Sequence, residues 1–150
     1  MLRDYKIGFD IGGLLLFVLI MTPNFIWFFV QAPDDVLRVE STTPMIDAIA
    51  SVCQILMIVA LCVIINTRGN KTKLSNKLII SCLICCLVYF IAWILYYRGF
   101  VNVGILLSLT IFPCLAFLLY EIDRKNSIAV VPTVIFTICH VVSTTINSVL

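Results

Sequence analysis

Five apolar runs, each about as long as a membrane is thick, constrain this chain more than any other feature. Crossing a hydrocarbon core of about 30 Å takes roughly 20 helical residues. Runs of that length occupy residues 11–30, 45–65, 78–97, 101–120 and 128–150. Lipid offers no partner for unpaired backbone groups, and the runs lack the alternating polarity of membrane barrel strands. They therefore predict transmembrane helices.

The runs predict an all-α, polytopic transmembrane bundle that forms a single integral membrane domain over residues 1–150. Because residues 128–150 carry Thr, Ser, His and Asn throughout, a four-helix bundle with a peripheral C-terminal segment is the alternative. The composition agrees with lipid as the main partner, since 62% of the residues are apolar and 12% are charged, against roughly 25% charged in a soluble domain. A net charge of +2 argues against nucleic-acid binding.

Lysine and arginine are unevenly shared between the connections, and this predicts the orientation. In a five-span protein the N-terminal segment and the second and fourth loops lie on one side. They hold eight basic residues: Arg3, Lys6, Arg68, Lys71, Lys73, Lys77, Arg124 and Lys125. The other side holds only Arg38 and Arg98, and its first loop is acidic. The N-terminus is therefore predicted to be cytoplasmic and the C-terminus to lie outside.

Polar side chains inside the predicted spans fall on helix faces that converge towards the outer half of the membrane. Three in the second span are spaced i, i+4 and i+7, and three in the fifth span repeat that spacing, so each set shares one helix face. Another lies beside Pro23 in the first span. The candidate ligand-binding residues are Asn24, Asp47, Ser51, Gln54, His140, Thr144 and Asn147.

Two interpretations of these polar residues stay open. They bond one another across helices, at about 0.6 kcal/mol per contact, or they line an outward-open polar pocket, where ionisable groups at this depth usually lie. An unpaired buried imidazole is costly. We therefore expect His140 to hydrogen-bond a partner on another helix, with Gln54 and Asn24 as the candidates at a similar depth.

The seven cysteines all lie inside predicted spans, which excludes an extracellular disulfide framework. They are Cys53, Cys62, Cys82, Cys85, Cys86, Cys114 and Cys139. Cys82 and Cys85 form a CxxC pair, but no charge lies nearby to stabilise a thiolate, so we interpret them as small packing residues. One histidine and scattered thiols do not make a metal-ligand set. No catalytic residue, metal or cofactor is predicted.

Two short stretches resemble an uncharacterised family of small polytopic membrane proteins from low-GC Gram-positive bacteria. One is PNFIW at residues 23–27, followed by a polar loop with a proline. The other is FPCLAFLL at residues 112–119, followed by a charged turn and an apolar helix that bears His140. The family carries further histidines beyond that position, where residues 143–147 of this chain have none. The resemblance implies a bacterial plasma membrane location and no particular activity.

These features favour a small membrane protein that binds or transports a small polar or cationic ligand through an outward-facing pocket. Five helices are few for a complete transport path, so transport would require a homodimer. The alternative is a non-enzymatic interaction protein, such as an immunity factor or a subunit of a larger membrane complex. A membrane enzyme acting on lipid head groups, with Asp47 and His140 as an acid–base pair, is less favoured because no catalytic motif accompanies them.

Overall fold

The computed structural model describes residues 2–69 and 76–149 and contains five long helices in that part of the chain. They are α1 (Ile11–Phe29), α2 (Pro44–Val63), α3 (Lys77–Tyr97), α4 (Val103–Asp123) and α5 (Ser127–Val149). Each is long and apolar enough to cross a membrane. The prediction of an all-α bundle with five spans is confirmed, and the predicted bounds agree with the helices to within three residues.

Side-chain caps and one proline set the points at which the helices begin. Asp10, Asn76 and Asn102 each accept a hydrogen bond from a backbone amide in the first turn of α1, α3 and α4. Such residues satisfy amides that a helix start leaves without an intrahelical partner. Pro44 is the first residue of α2, where its missing N–H costs nothing.

A two-stranded antiparallel ribbon, which the sequence patterns did not predict, joins the N-terminal segment to the end of α2. Strand β1 (Tyr5–Ile7) pairs with β2 (Ile64–Asn66), with Tyr5 opposite Asn66 and Ile7 opposite Ile64. Because β1 shortly precedes α1 and β2 immediately follows α2, the start of α1 and the end of α2 lie at the same end of the bundle.

This arrangement gives the bundle two chemically different ends. The basic end carries the ribbon, the start of α3 and the turn between α4 and α5, with Arg3, Lys6, Arg68, Lys77, Arg124 and Lys125. The acidic end carries the segments 30–43 and 98–102, with Asp34, Asp35, Glu40, Arg38 and Arg98. Lys71 and Lys73 lie outside the described residues. Which end faces the cytoplasm remains a prediction.

The helices pack unequally. The main contacts join α3 to α4, α2 to α5 and α4 to α5, whereas α1 packs more lightly against α2, α3 and α4. The buried residues of α1 are Gly13, Leu16, Ile20 and Pro23, whose alternating spacing of three and four is that of a single helix face. This face packs on the rest of the bundle, and the remainder of α1 is largely exposed to the surroundings.

The fourth helix is longer than predicted, and its extra turn buries two carboxyl groups. Residues 121–127 were predicted as a charged connection after a span ending at residue 120, but α4 continues to Asp123. Glu121 is 0% exposed and Asp123 is 1% exposed. The Asn76 side chain donates a hydrogen bond to Asp123, and Glu121 contacts Thr133 of α5. Polar partners therefore allow the helix to run on through residues that composition alone assigns to a loop.

Candidate functional site

A cavity of about 300 Å³ lies among the five helices, and each helix contributes to its lining. Its walls are mostly apolar and aromatic, as is usual for small-molecule sites. Five of the seven predicted site residues line it: Asn24 from α1, Asp47, Ser51 and Gln54 from α2, and His140 from α5. The predicted convergence of these helix faces therefore agrees with their positions in the structure.

A second cavity, of about 450 Å³, shares Asp47 and His140 with the first. It is lined by Thr144 and Asn147, by loop residues between 36 and 41, and by residues 101–103. Since those segments connect helices at the acidic end, the second cavity lies between that end and the first one. All seven predicted residues thus line two adjoining cavities.

The amide of Asn24 is held by a tyrosine that the sequence analysis missed. Asn24 Nδ2 donates to Tyr89 Oη at 2.7 Å and to the Ile20 carbonyl at 3.2 Å, and Tyr89 Oη donates to the same carbonyl at 3.1 Å. Tyr89 is 2% exposed and lines the first cavity. A tyrosine in the middle of an apolar span could have been predicted as a polar partner from the sequence, because a buried tyrosine hydroxyl usually forms a hydrogen bond.

Asp47 is bound by a serine that the sequence analysis also missed. Ser143 Oγ donates to Asp47 Oδ1 at 2.6 Å, and the Ser143 and Thr43 hydroxyls lie 2.9 Å apart. Ser143 follows His140 by three residues and therefore lies next to it on the surface of α5. Including the residues three positions after each predicted site residue would have identified it. Ser51 Oγ donates to the carbonyl of Asp47 within α2 at 2.8 Å.

The prediction that His140 hydrogen-bonds Gln54 or Asn24 is wrong. Its ring stacks on Phe136, with centroids 5.1 Å apart and planes 20° from parallel. Neither His140 nor Gln54 forms a side-chain hydrogen bond within residues 2–69 and 76–149. The prediction failed because it required every polar group at this depth to find a protein partner, whereas these two face a cavity.

Thr144 and Asn147, in contrast, are engaged in bonds between segments. Asn147 Oδ1 accepts the backbone amide and the hydroxyl of Thr42, each at 2.8 Å. The hydroxyls of Thr144 and Thr110 lie 3.0 Å apart. These contacts fasten α5 to the segment before α2 and to α4. Bonds between segments thus involve four of the seven residues, since Asn24 and Asp47 are bonded to α3 and α5 as well. Among the described residues, only Gln54 and His140 of the seven have no side-chain hydrogen bond.

The electrostatic character of the first cavity is set by one carboxylate. Among the described residues that line it, Asp47 is the only Asp, Glu, Lys or Arg, and four phenyl or phenol rings line it as well: Phe17, Tyr89, Phe117 and Phe136. Aromatic faces and a carboxylate both attract cations. Asp47 and His140 line the same cavities but do not hydrogen-bond each other.

In the part of the chain that the structure describes, no metal-ligand cluster and no disulfide is formed. No three His, Cys, Asp or Glu side chains within it come together as metal ligands. All seven cysteines are free thiols, and six of them are buried.

Fold and site together define a polytopic membrane protein, with five helices around a partly polar cavity. No family model matches the chain, and no curated protein or solved structure is significantly similar to it. The resemblance to small Gram-positive membrane proteins thus rests on the two short motifs alone.

Proposed function

We propose that this chain, as one membrane domain, binds a small polar ligand, and preferentially an organic cation, in the first cavity. The observation that carries the proposal is the set of polar groups without protein partners there. Within the described residues, the side chains of Gln54 and His140 have no hydrogen bond, although both line the cavity. Polar groups inside a membrane bundle are expensive unless a partner, water or a ligand satisfies them.

The preference for a cation follows from the lining. Among the described residues that line the cavity, Asp47 carries the only formal charge, and no lysine or arginine competes for it. Ser143 fixes one of its oxygens. The aromatic rings favour a positive head group over a neutral one of the same shape. A volume of about 300 Å³ suits a ligand at the small end of the usual range.

Access is proposed from the acidic end, through the second cavity. Eight basic residues on one side against two on the other support an outside position for that end by the positive-inside rule. The exposed carboxylates of Asp34 and Glu40 would attract cations there. The same rule, with the motif resemblance, favours the plasma membrane of a Gram-positive bacterium. Transport, as distinct from binding, would require a second copy of the chain.

Choline and its uncharged isostere 3,3-dimethylbutan-1-ol provide the test. Choline should raise the melting temperature of the purified protein in detergent, and the alcohol should do so less. Asp47→Asn should weaken choline binding by at least about tenfold, or about 1.4 kcal/mol, because it removes the carboxylate that attracts the quaternary ammonium electrostatically. Asp4→Asn removes a carboxylate at the basic end that lines neither cavity and is the control, with unchanged binding expected. Equal effects of choline and the alcohol would contradict cation recognition.

The side of the membrane from which the cavity is reached is tested with a thiol reagent that carries the same trimethylammonium group as choline. A thiol placed by Gln54→Cys should react in intact cells with a membrane-impermeant trimethylammonium methanethiosulfonate, and choline should slow that reaction. The wild-type protein is the control, because six of its seven thiols are buried. Reaction only after the membrane is opened would refute access from outside while leaving the cavity itself in place.

An interaction protein is the second candidate, favoured by the bonds of Thr144 and Asn147. Both side chains act between segments of this chain, as polar residues do in a purely structural bundle. In that case Asp47→Asn should lower the melting temperature of the protein, and neither choline nor the alcohol should change it.

A further inference from the structure

Glu121 is a membrane-buried carboxyl group that the proposed ligand site does not use. It lies in the last turn of α4 and is 0% exposed. Its Oε1 is 2.7 Å from Thr133 Oγ1 of α5. Its Oε2 is buried and has no hydrogen-bond partner among the described residues. A carboxylate with a single hydrogen bond is one of the least favourable groups to bury in an apolar bundle.

No described cation compensates a charge on Glu121. On α4 and just after it, Asp123 accepts from Asn76, which precedes α3, and Arg124 forms its ion pair with Asp10, which precedes α1. Helix α5 presents the uncharged Thr133. The ion pairs within residues 2–69 and 76–149 all involve other carboxylates.

The hydrogen count at Thr133 points to a proton on the glutamate. Thr133 Oγ1 lies 2.7 Å from Glu121 Oε1 and also 2.8 Å from the carbonyl oxygen of Ala129. A hydroxyl has one proton and can donate it to only one of these acceptors. If Glu121 is a carboxylic acid, its O–H donates to Thr133 Oγ1, the threonine donates to Ala129, and both short contacts are hydrogen bonds.

We propose that Glu121 is an intramembrane proton-binding site, occupied by a proton when α4 and α5 are packed as in this structure. Thr133 accepts that proton in a hydrogen bond, and separation of the two helices would expose the carboxyl to water and release it. The site lies near the basic end, one helical turn beyond Phe117, which lines the first cavity. Ionisable groups inside a membrane bundle mark ion pathways and proton relays in pumps and transporters. The proposal does not depend on a ligand in the cavity.

Infrared spectroscopy of the protein in detergent at pH 7 tests this directly, because a neutral carboxylic acid and a carboxylate absorb at separate frequencies. Subtracting the spectrum of Glu121→Gln from that of the wild type should reveal the loss of one acid C=O band, and that band should shift in heavy water. The introduced amide carries no charge and can donate to Thr133, so the variant should fold. Asp34→Asn is the control, and its difference spectrum should show the loss of carboxylate bands only.

Two results would overturn the proposal. One is a wild-type spectrum without an acid C=O band at pH 7, which needs no variant to interpret. The other is a band that persists in Glu121→Gln. Thr133→Val should raise the frequency of the Glu121 band by removing its hydrogen-bond partner, and Thr133→Ser should leave it in place. Where the acid band is absent, loss of carboxylate bands in Glu121→Gln, together with stabilisation of the wild type alone by sodium chloride, would assign the site to a metal cation instead of a proton.

Discussion

The two ends of the bundle are each held by an aspartate that collects several hydrogen bonds, but the partners differ. At the basic end, Asp10 accepts Arg124 through both carboxylate oxygens, at 3.0 and 2.9 Å, and the Tyr120 hydroxyl at 3.0 Å. It also caps α1 through the amides of Gly12 and Gly13. Burial opposes a charge on Asp10, yet Arg124, the Gly13 amide and Tyr120 outweigh it and keep the pKa of Asp10 below its ordinary value.

At the acidic end, Asp35 ties its loop to the last turns of α1 and α3, but its ion pair stays within the loop and does not join two helix ends. It accepts Trp27 Nε1 at 2.9 Å and the Tyr96 hydroxyl at 2.8 Å, and its ion pair is with Arg38 at 2.8 Å. The Asp35 side chain is 1% exposed, but that of Arg38 is 39% exposed. Helix α5 is attached at this end by the bond from Ser143 to Asp47 and by neutral bonds between Asn147 and residues 41–43.

This difference separates the part of the molecule that fixes the bundle from the part that can open. Charge-assisted bonds between partly buried groups are stronger than neutral ones, and those at the basic end join α1 to α4. The neutral serine, threonine and asparagine bonds of the acidic end lie beside the second cavity and can be exchanged for water or a ligand at little cost. Stability should therefore depend most on the basic end, and access on the acidic one.

The largest expected effect is the loss of the Asp10–Arg124 pair. Arg124→Ala leaves a partly buried carboxylate without its cation, and removing one partner of a buried pair costs about 3 kcal/mol or more. We expect a clear fall in the melting temperature of the purified protein.

Arg68→Ala is the matched control at the same end. It breaks the ion pair between Arg68, whose side chain is 74% exposed, and Asp4, whose side chain is 28% exposed. Exposed pairs of this kind contribute at most about 1 kcal/mol. Equal losses in the two variants would remove the distinction between a fixed end and an openable one.

A smaller effect, with a definite pH dependence, is expected for Asp35. Burial opposes its charge, but the hydrogen bonds from Trp27, Tyr96 and Arg38 prevail, and the pKa of Asp35 lies below its ordinary value of 3.8. A group whose pKa is lower in the folded state stabilises the protein above its unfolded pKa and loses that contribution as the pH falls below it.

Asp35→Asn should therefore cost about 2 kcal/mol at pH 7 and make the melting temperature less sensitive to acidification between about pH 5 and pH 3. Melting curves of both proteins across that range measure it. A variant that keeps the full acid sensitivity of the wild type would place the responsible carboxyl elsewhere, with Asp10 the next to examine.

The fold was predictable because its main determinant is local. A run of about 20 apolar residues has one stable form in lipid, so length and composition were enough to define α1 to α5. The ribbon of β1 and β2 was not predictable in this way. Three-residue strands pair segments that are about 60 residues apart, and neither segment carries a pattern of its own. The extra turn of α4 was missed because Glu121 is stable inside only through its partner on α5.

The candidate site was partly predictable for the same reason. Helical spacing places Asp47 and Gln54 on one face whatever that face contacts, and both line the cavity. Spacing does not say which of these groups is satisfied. That depends on residues of other helices, such as Ser143 for Asp47, and on neighbours such as Phe136 for His140.

The smallest expected effect lies between the two ends, at the CxxC pair of α3. Cys82 and Cys85 are 3% and 8% exposed and belong to the hydrophobic core, and small buried thiols behave there as apolar packing groups. Replacing both by alanine should cost about 1 kcal/mol per site at most and leave choline binding unchanged. In the native wild type, maleimide should add to neither thiol, whereas after denaturation both should react, as mass spectrometry of the peptides can show. A disulfide trapped between them in cells would contradict the packing role, because it would mean that an oxidant reaches the first half of α3. The polar ends alone would then not determine where this bundle is accessible.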